Sequence, residues 1–319
     1  MASERAESPA VLRQDPRVVA GLDYGNPDPD PEWRQIDWRQ HLHQIDLPGA
    51  RVNYVEIGEG EPIVFVHGIS GSWQNWLENL PHFGRGRRVI ALDLPGFGAS
   101  PMPSWEIDMP AYGRLLHDFC EKLGVEGATV VGNSMGGFIA VEAATAAPGH
   151  FDRLVLVSAA GILNTWNPEE RAVVTAWAWK VFGPHYARRS RFIVSRPRAR
   201  ELVFRPFVRY PARLREDLLL EQIESGLKRA EGFGDALHAV IRHDLRERLG
   251  TIEMPTMIVW GQSDRVIPMA AALSYHRRIP HSRLEIFERT GHVPQLERPA
   301  RFNAVLDDFL TSGPRRSRH

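Results

Sequence analysis

Residues 128–137 read Ala-Thr-Val-Val-Gly-Asn-Ser-Met-Gly-Gly. A short apolar run with two β-branched valines ends in Gly132-Asn133-Ser134-Met135-Gly136, and an alanine-rich segment follows. The run predicts a strand and the alanine-rich segment a helix, so the pattern G-x-S-x-G falls at the turn between them. A serine hydroxyl is a poor nucleophile unless it is lifted clear of the packed sheet and held against a base. A turn sharp enough to do this strains the serine backbone and brings chain segments close together. Glycines at 132 and 136 remove the side chains that would clash. The pentapeptide alone fits any glycine-rich turn; the flanking strand and helix give it chemical meaning.

Working outward, Pro62–His67 (Pro-Ile-Val-Phe-Val-His) and Arg88–Leu92 are continuous apolar runs, as expected of strands buried on both faces. Each ends in a polar, glycine-containing turn: His67-Gly68-Ile69-Ser70-Gly71-Ser72 and Asp93-Leu94-Pro95-Gly96-Phe97-Gly98. Residues 41–47 and 51–57 alternate apolar and polar about Pro48-Gly49, which predicts an edge hairpin. Helices are expected over 73–80, 109–123 and 140–147, with a strand at 153–157. After Gly161 the rhythm breaks. Asn167-Pro168-Glu169-Glu170 is a helix start, and helical patterns run to Leu249 without a strand. The βα alternation resumes with Pro255–Trp260, a helix at 269–279, a strand at 283–287 and a closing helix at 299–310. These readings make the chain an α/β protein: a doubly wound, mostly parallel sheet with an inserted all-helical cap. The divisions are an N-terminal arm (1–40), the first part of the core (41–160), the cap (161–250) and the second part of the core (251–319). Residues 1–32, with Asn26-Pro27-Asp28-Pro29-Asp30-Pro31, read as a tether on the surface or without fixed structure.

With 39 basic and 39 acidic side chains, no net field favours nucleic acid or an anionic membrane surface. The single cysteine, Cys120, has no internal disulfide partner and reads as a small core residue in a helix. Residues 1–10 lack the apolar core of a signal peptide, and no run reaches about 18 apolar residues. The expectation is a cytoplasmic protein, monomer or homodimer. No metal-ligand cluster or phosphate-binding glycine loop stands out, so no cofactor and no metal is expected.

Ser134, Asp264 and His292 occur in that order, each just past the carboxyl end of a predicted strand, the edge where open α/β sheets bind ligands. Alone, Asp264 reads as a turn or capping residue and His292 as one of thirteen histidines. Together they are much harder to obtain by accident. With His67-Gly68, Asp93–Gly98, the Gly132–Gly136 elbow, Trp260-Gly261-Gln262-Ser263-Asp264 and Gly291-His292, the chain from about 41 to 312 resembles the α/β-hydrolase superfamily. The resemblance implies roles. Ser134 attacks an acyl carbon, His292 relays the proton and Asp264 orients the imidazole. The backbone N–H groups of Ile69 and Met135 form the oxyanion hole. His67 and Asp93 are implied to brace loops.

Serine at the elbow excludes the aspartate-dependent dehalogenase and epoxide hydrolase relatives. Gly-Asn-Ser-Met-Gly-Gly is also similar to the elbow of meta-cleavage-product hydrolases, which cut a C–C bond; these commonly carry Trp where this chain has Val293. The main expectation is a carboxylesterase acting on small to medium uncharged acyl groups, a small-molecule ester its partner. Such a pocket is mostly apolar, and Ile69, Trp73, Phe138, Val266 and Val293 are its expected lining, while Trp166, Trp177 and Trp179 either contribute from the cap or pack the cap onto the core. The alternative is a meta-cleavage-type C–C hydrolase. A ligand receptor on the same fold is a third reading.

Overall fold

A computed structural model describes residues 23–162 and 190–312. At its centre is one eight-stranded sheet, in the order β1-β2-β4-β3-β5-β6-β7-β8. The strands are β1 (Leu42–Leu47), β2 (Ala50–Ile57), β3 (Pro62–Val66), β4 (Arg88–Leu92), β5 (Thr129–Asn133), β6 (Arg153–Val157), β7 (Thr256–Gly261) and β8 (Arg283–Phe287). The β1–β2 hairpin and the β2–β4 pairing are antiparallel, and β4 through β8 run parallel. The doubly wound, mostly parallel sheet of the sequence reading is therefore the observed one.

The helices are α1 (Glu32–Gln35), α2 (Leu80–Gly84), α3 (Met109–Lys122), α4 (Met135–Ala146), α5 (Ser190–Val194), α6 (Pro197–Phe204), α7 (Glu216–Glu221), α8 (Phe233–Arg242), α9 (Met269–Arg278), α10 (Pro294–Glu297) and α11 (Pro299–Thr311). They cover both faces of the sheet, and strand alternation divides the core in two. Val64, Val66, Ile90, Leu92, Leu154, Leu156 and Trp260 meet α3, α4 and α9 on one face. Ile63, Phe65, Val89, Ala91, Val155, Val157 and Val259 meet Trp73, Trp76, Phe83 and α11 on the other. Helix α3 opens on Asp108, whose carboxylate accepts the Ala111 N–H, with Pro110 in the first turn. Cys120 lies in this helix, wholly buried, and burial pushes its thiol pKa up.

Two expectations change. In place of a helix over 73–80 the chain makes a 3₁₀ turn at Trp73–Trp76 and then α2; Pro81, without an N–H, fits the first turn of a new helix and not the interior of an old one. The end of the N-terminal arm is no loose tether. Tyr24 and Trp33 are buried, and Trp33 Nε1 donates to Glu78 Oε1 at 3.1 Å. The Asp-Pro repeat obscured two aromatic anchors on either side of it.

Between β6 and β7, residues 190–251 carry helices α5 to α8 and no strand, with a π-helical turn at Gln222–Gly226 between α7 and a 3₁₀ turn at Leu227–Arg229. The helix start at 167–170 and Trp166, Trp177 and Trp179 lie outside the described residues. No helix among the described residues is long and apolar enough to cross a membrane.

Candidate active site

Ser134 occupies the single residue between β5 and α4, at φ 55° and ψ −116°. A non-glycine residue rarely adopts this conformation, and it persists only where the surroundings over-determine it. Its backbone is held from both sides. The N–H donates to Val157 O at 2.9 Å, and the carbonyl accepts from Gly137 at 3.0 Å and Ala160 at 3.0 Å. A Cβ on Gly132 would stand 2.3 Å from Gly136 O, and one on Gly136 would stand 2.2 Å from Val66 O. Both glycines of the motif are thus required by close backbone approach.

Asp264 follows β7 and His292 follows β8. Asp264 Oδ1 accepts the N–H groups of Val266 at 2.8 Å and Ile267 at 2.9 Å, which aims Oδ2 at His292 Nδ1, 2.8 Å away. An ionised carboxylate only accepts, so Nδ1 carries the proton and Nε2 keeps its lone pair. The two loops are joined through Ser263 N and Thr290 O at 2.8 Å, and Gly261 approaches the Gly291 carbonyl where no side chain could fit. Asn133 Nδ2 donates to Val157 O at 3.0 Å and to His292 O at 3.3 Å, so the elbow and the histidine loop are tied as well.

Ser134 and His292 border one cavity. Ile69, Val266 and Val293 line it too. Trp73 and Phe138 do not. Trp73 packs against Trp38 below the loop, at 5.1 Å between ring centroids, and its N–H is bound by Asp93 Oδ1. Phe138, one turn along α4 from the serine, is wholly buried in the core beneath. Met135 opens α4, nearly wholly buried, directly after Ser134. Most of the remaining wall comes from the helical insertion, through Val203, Phe204, Phe207, Val208, Leu214, Leu218, Leu219 and Leu227, with Leu296 of α10 beside them. Sequence reasoning missed these because an apolar residue on a helix carries no mark of which wall it faces.

The cavity's polar groups were missed as well. Gln222, on the π-helical turn, is bonded to Asn75 Nδ2 and donates to Gln74 O at 3.0 Å. Ser70, at φ 61° and 6% exposed, lines the cavity with a buried hydroxyl that has no hydrogen-bond partner among the described residues. Among the described lining residues there is no Lys, Arg, Asp or Glu.

The loops under the cavity are braced by two buried titratable groups. His67 Nε2 accepts the Leu94 N–H at 2.9 Å and Nδ1 donates to Gly68 O at 2.7 Å, so the ring is neutral; burial lowers its pKa to about 4. Asp93 accepts from Trp73 N, Ala99 N and Asn53 Nδ2, and burial raises its pKa to about 6. His117, Asp118 and Glu121 on α3 could offer ligand atoms lying within 4.8 Å of one another, but none of them lines the cavity.

The family model for the alpha/beta hydrolase fold matches residues 61–299. The chain belongs to the α/β-hydrolase family. Among its relatives, this α/β hydrolase is 32% identical over 271 residues to a 2-hydroxy-6-oxononadienedioate/2-hydroxy-6-oxononatrienedioate hydrolase of Cupriavidus pinatubonensis, covering 82% of this chain and 90% of that protein. It superposes on a meta-cleavage product hydrolase from Pseudomonas fluorescens IP01 with a TM-score of 0.68 and 25% identity, over 84% of this chain and 97% of the other. An N-acyl homoserine lactone degrading enzyme matches with the same TM-score of 0.68 and 25% identity, over 84% of this chain and all of the other. The names of the first two match the C–C hydrolase alternative more than the carboxylesterase of the main expectation.

Proposed function

We propose that this α/β hydrolase works through a Ser134–His292–Asp264 triad and an acyl-enzyme intermediate. The observation that carries the reading is the 2.8 Å bond between His292 Nδ1 and Asp264 Oδ2, with His292 and Ser134 on one cavity. His292 Nε2 takes the proton from Ser134 Oγ as it attacks the carbonyl, and later activates the water that releases the acyl group. The carbonyl oxygen becomes an oxyanion met by the N–H groups of Met135 and Ile69, a contribution worth about 10²–10³ in rate for each donor. The helical insertion acts as the cap that closes the cavity.

The reading of the reaction is hydrolysis of a C–C bond beside a ketone, as in meta-cleavage products. It is supported by the names of the relatives. A 6-oxodienoate has no ester or amide bond to hydrolyse, so the bond broken is the one between the oxo carbon and its neighbour. Conjugation spreads the electron pair left on the departing carbon, which then takes up a proton.

Ester or lactone hydrolysis is the second reading, favoured by one observation. A dienoate substrate carries a carboxylate, and a buried carboxylate calls for a cation or several donors; the described cavity wall offers no Lys or Arg. The test measures kcat/KM for a dienoic ring-fission product beside a chain-length series of p-nitrophenyl esters. A preference for the dienoate supports the first reading and a preference for the esters the second. Ser134→Ala is expected to keep the fold and abolish turnover of both; retained turnover would remove the triad.

A further inference from the structure

The loop that carries His292 hangs on a buried carboxylate that belongs to no part of the triad. Glu297, in α10, is 0% exposed. Its Oε1 accepts the N–H of Gly291 at 2.8 Å and that of Val293 at 3.4 Å, the residues on either side of His292. Its Oε2 accepts the N–H of Arg209 at 2.7 Å, from the helical insertion, and the hydroxyl of Tyr24 at 2.5 Å, from the N-terminal segment. Tyr24 Oη itself accepts the Tyr210 N–H at 2.8 Å. The histidine's own N–H goes to the carbonyl of Phe207, at 2.6 Å. Three separate parts of the chain therefore converge on one side chain.

Burying a carboxylate costs several kcal/mol, and apolar residues packed in the same space commonly stabilise a fold as well or better. Stability alone is a poor account of Glu297. An acceptor without hydrogens is, however, the group that can take two donors on each oxygen and fix four backbone or hydroxyl positions relative to one another. The segment so fixed is also a cavity wall, because Phe204, Phe207 and Val208 line it and the Phe207 ring centroid stands 6.4 Å from that of His292. A substrate that fills the cavity presses on the same stretch that Glu297 ties to the histidine loop.

We propose that Glu297 is a positioning residue that couples the seating of the helical insertion over the cavity to the placement of the His292 imidazole. The inference rests on the triad assigned above. A displacement of about 1 Å at a reacting group costs up to about 10²-fold in rate, and the loss falls on the chemical step, with binding little changed.

The test uses the full chain, with active sites counted by end-point labelling with a fluorophosphonate, and ester turnover measured per labelled site. Glu297→Gln puts an NH₂ where an acceptor stood, facing donors. It is expected to lower kcat about 10- to 100-fold with KM within about twofold of the original. Tyr24→Phe removes one donor and leaves the carboxylate, with an expected loss in kcat of about two- to fivefold at unchanged KM. Should Glu297→Gln fail to fold, Tyr24→Phe decides alone. A purely structural role lowers the melting temperature and the number of labelled sites but leaves kcat per site native; that result, or KM rising in step with kcat, would overturn the proposal. Ser134→Ala is run in parallel. If it is inactive while Glu297→Gln and Tyr24→Phe work normally per site, the triad stands and this inference alone falls; if it turns over, both fall.

Discussion

Asp264 Oδ2 lies 2.8 Å from His292 Nδ1, and the same carboxylate is fixed by two N–H groups of its own turn. The proton on Nδ1 is thereby specified, and Nε2 is left as the lone pair that can serve as base. Asp264→Asn offers an NH₂ in place of the acceptor and favours the opposite tautomer. The expected outcome is a folded protein with kcat down by about 10⁴, read from the rate of p-nitrophenol release under single-turnover conditions. A loss of less than tenfold would contradict the tautomer argument.

The elbow makes a prediction about stability. Gly136→Ala would put a Cβ 2.2 Å from Val66 O and 2.6 Å from His67 O, both backbone atoms that cannot step aside. A loss of about 1–3 kcal/mol or more is expected, seen as a lower urea midpoint with unchanged slope. Gly86→Ala serves as the control, because nothing stands within 4 Å of its Cβ position; it should stay within about 0.5 kcal/mol of the original.

His67 gives the fold an acid-sensitive brace. Its folded pKa is about 4, lowered by burial from 6.5. The unfolded chain takes up the proton first, so the stabilisation is whole above pH 6.5 and is lost as pH falls toward 4. Asp93, raised to about 6 from 3.8 by burial, works oppositely in nearly the same window: its folded form favours the proton, so its contribution is lost as pH rises from about 4 to 6. The two partly cancel in the native protein. Comparison with His67→Gln separates them. The stability difference between native and variant should grow by up to about 3 kcal/mol between pH 4 and pH 6.5 and then level off, measured by urea unfolding across that range. A difference independent of pH would show that His67 is not held neutral.

Gln222 offers a fourth prediction. It is the insertion's polar side chain in the described cavity wall, and it bridges Asn75 and the Gln74 carbonyl on the loop after β3. Gln222→Leu removes the acceptor of the half-buried Asn75 amide and should cost about 0.5–1.5 kcal/mol of stability, with kcat/KM falling as the loop that carries Ile69 loosens. Thermal unfolding and ester kinetics on one preparation check both effects. Native values for both would show that the bridge is idle.

Much of this was legible in the residues. The buried strands Arg88–Leu92 and Arg153–Val157 have the bounds that the sequence predicts, because a strand covered on both faces must be largely apolar. Helix α4 begins five residues earlier than expected, at Met135 and not Ala140; Gly136 and Gly137 weaken helix propensity, and tertiary contact overrides it. Trp73 and Phe138 illustrate the limit of proximity along the chain. Each neighbours a motif residue, yet each points into the core because helix and turn geometry send it there. Glu297 was illegible for another reason. A glutamate on a short helix normally faces water, and only the assembled fold brings Gly291, Val293, Arg209 and Tyr24 around it.

The seclusion of Cys120 has a practical consequence. It is the molecule's one sulfhydryl, sealed on the buried face of α3 with its ionisation suppressed by burial, so maleimides and iodoacetamides should pass the native protein by. A cysteine introduced at exposed Leu202 or Phe192 on the insertion would then be the sole reactive handle, and a dye placed there could report movement over the cavity without any background removal.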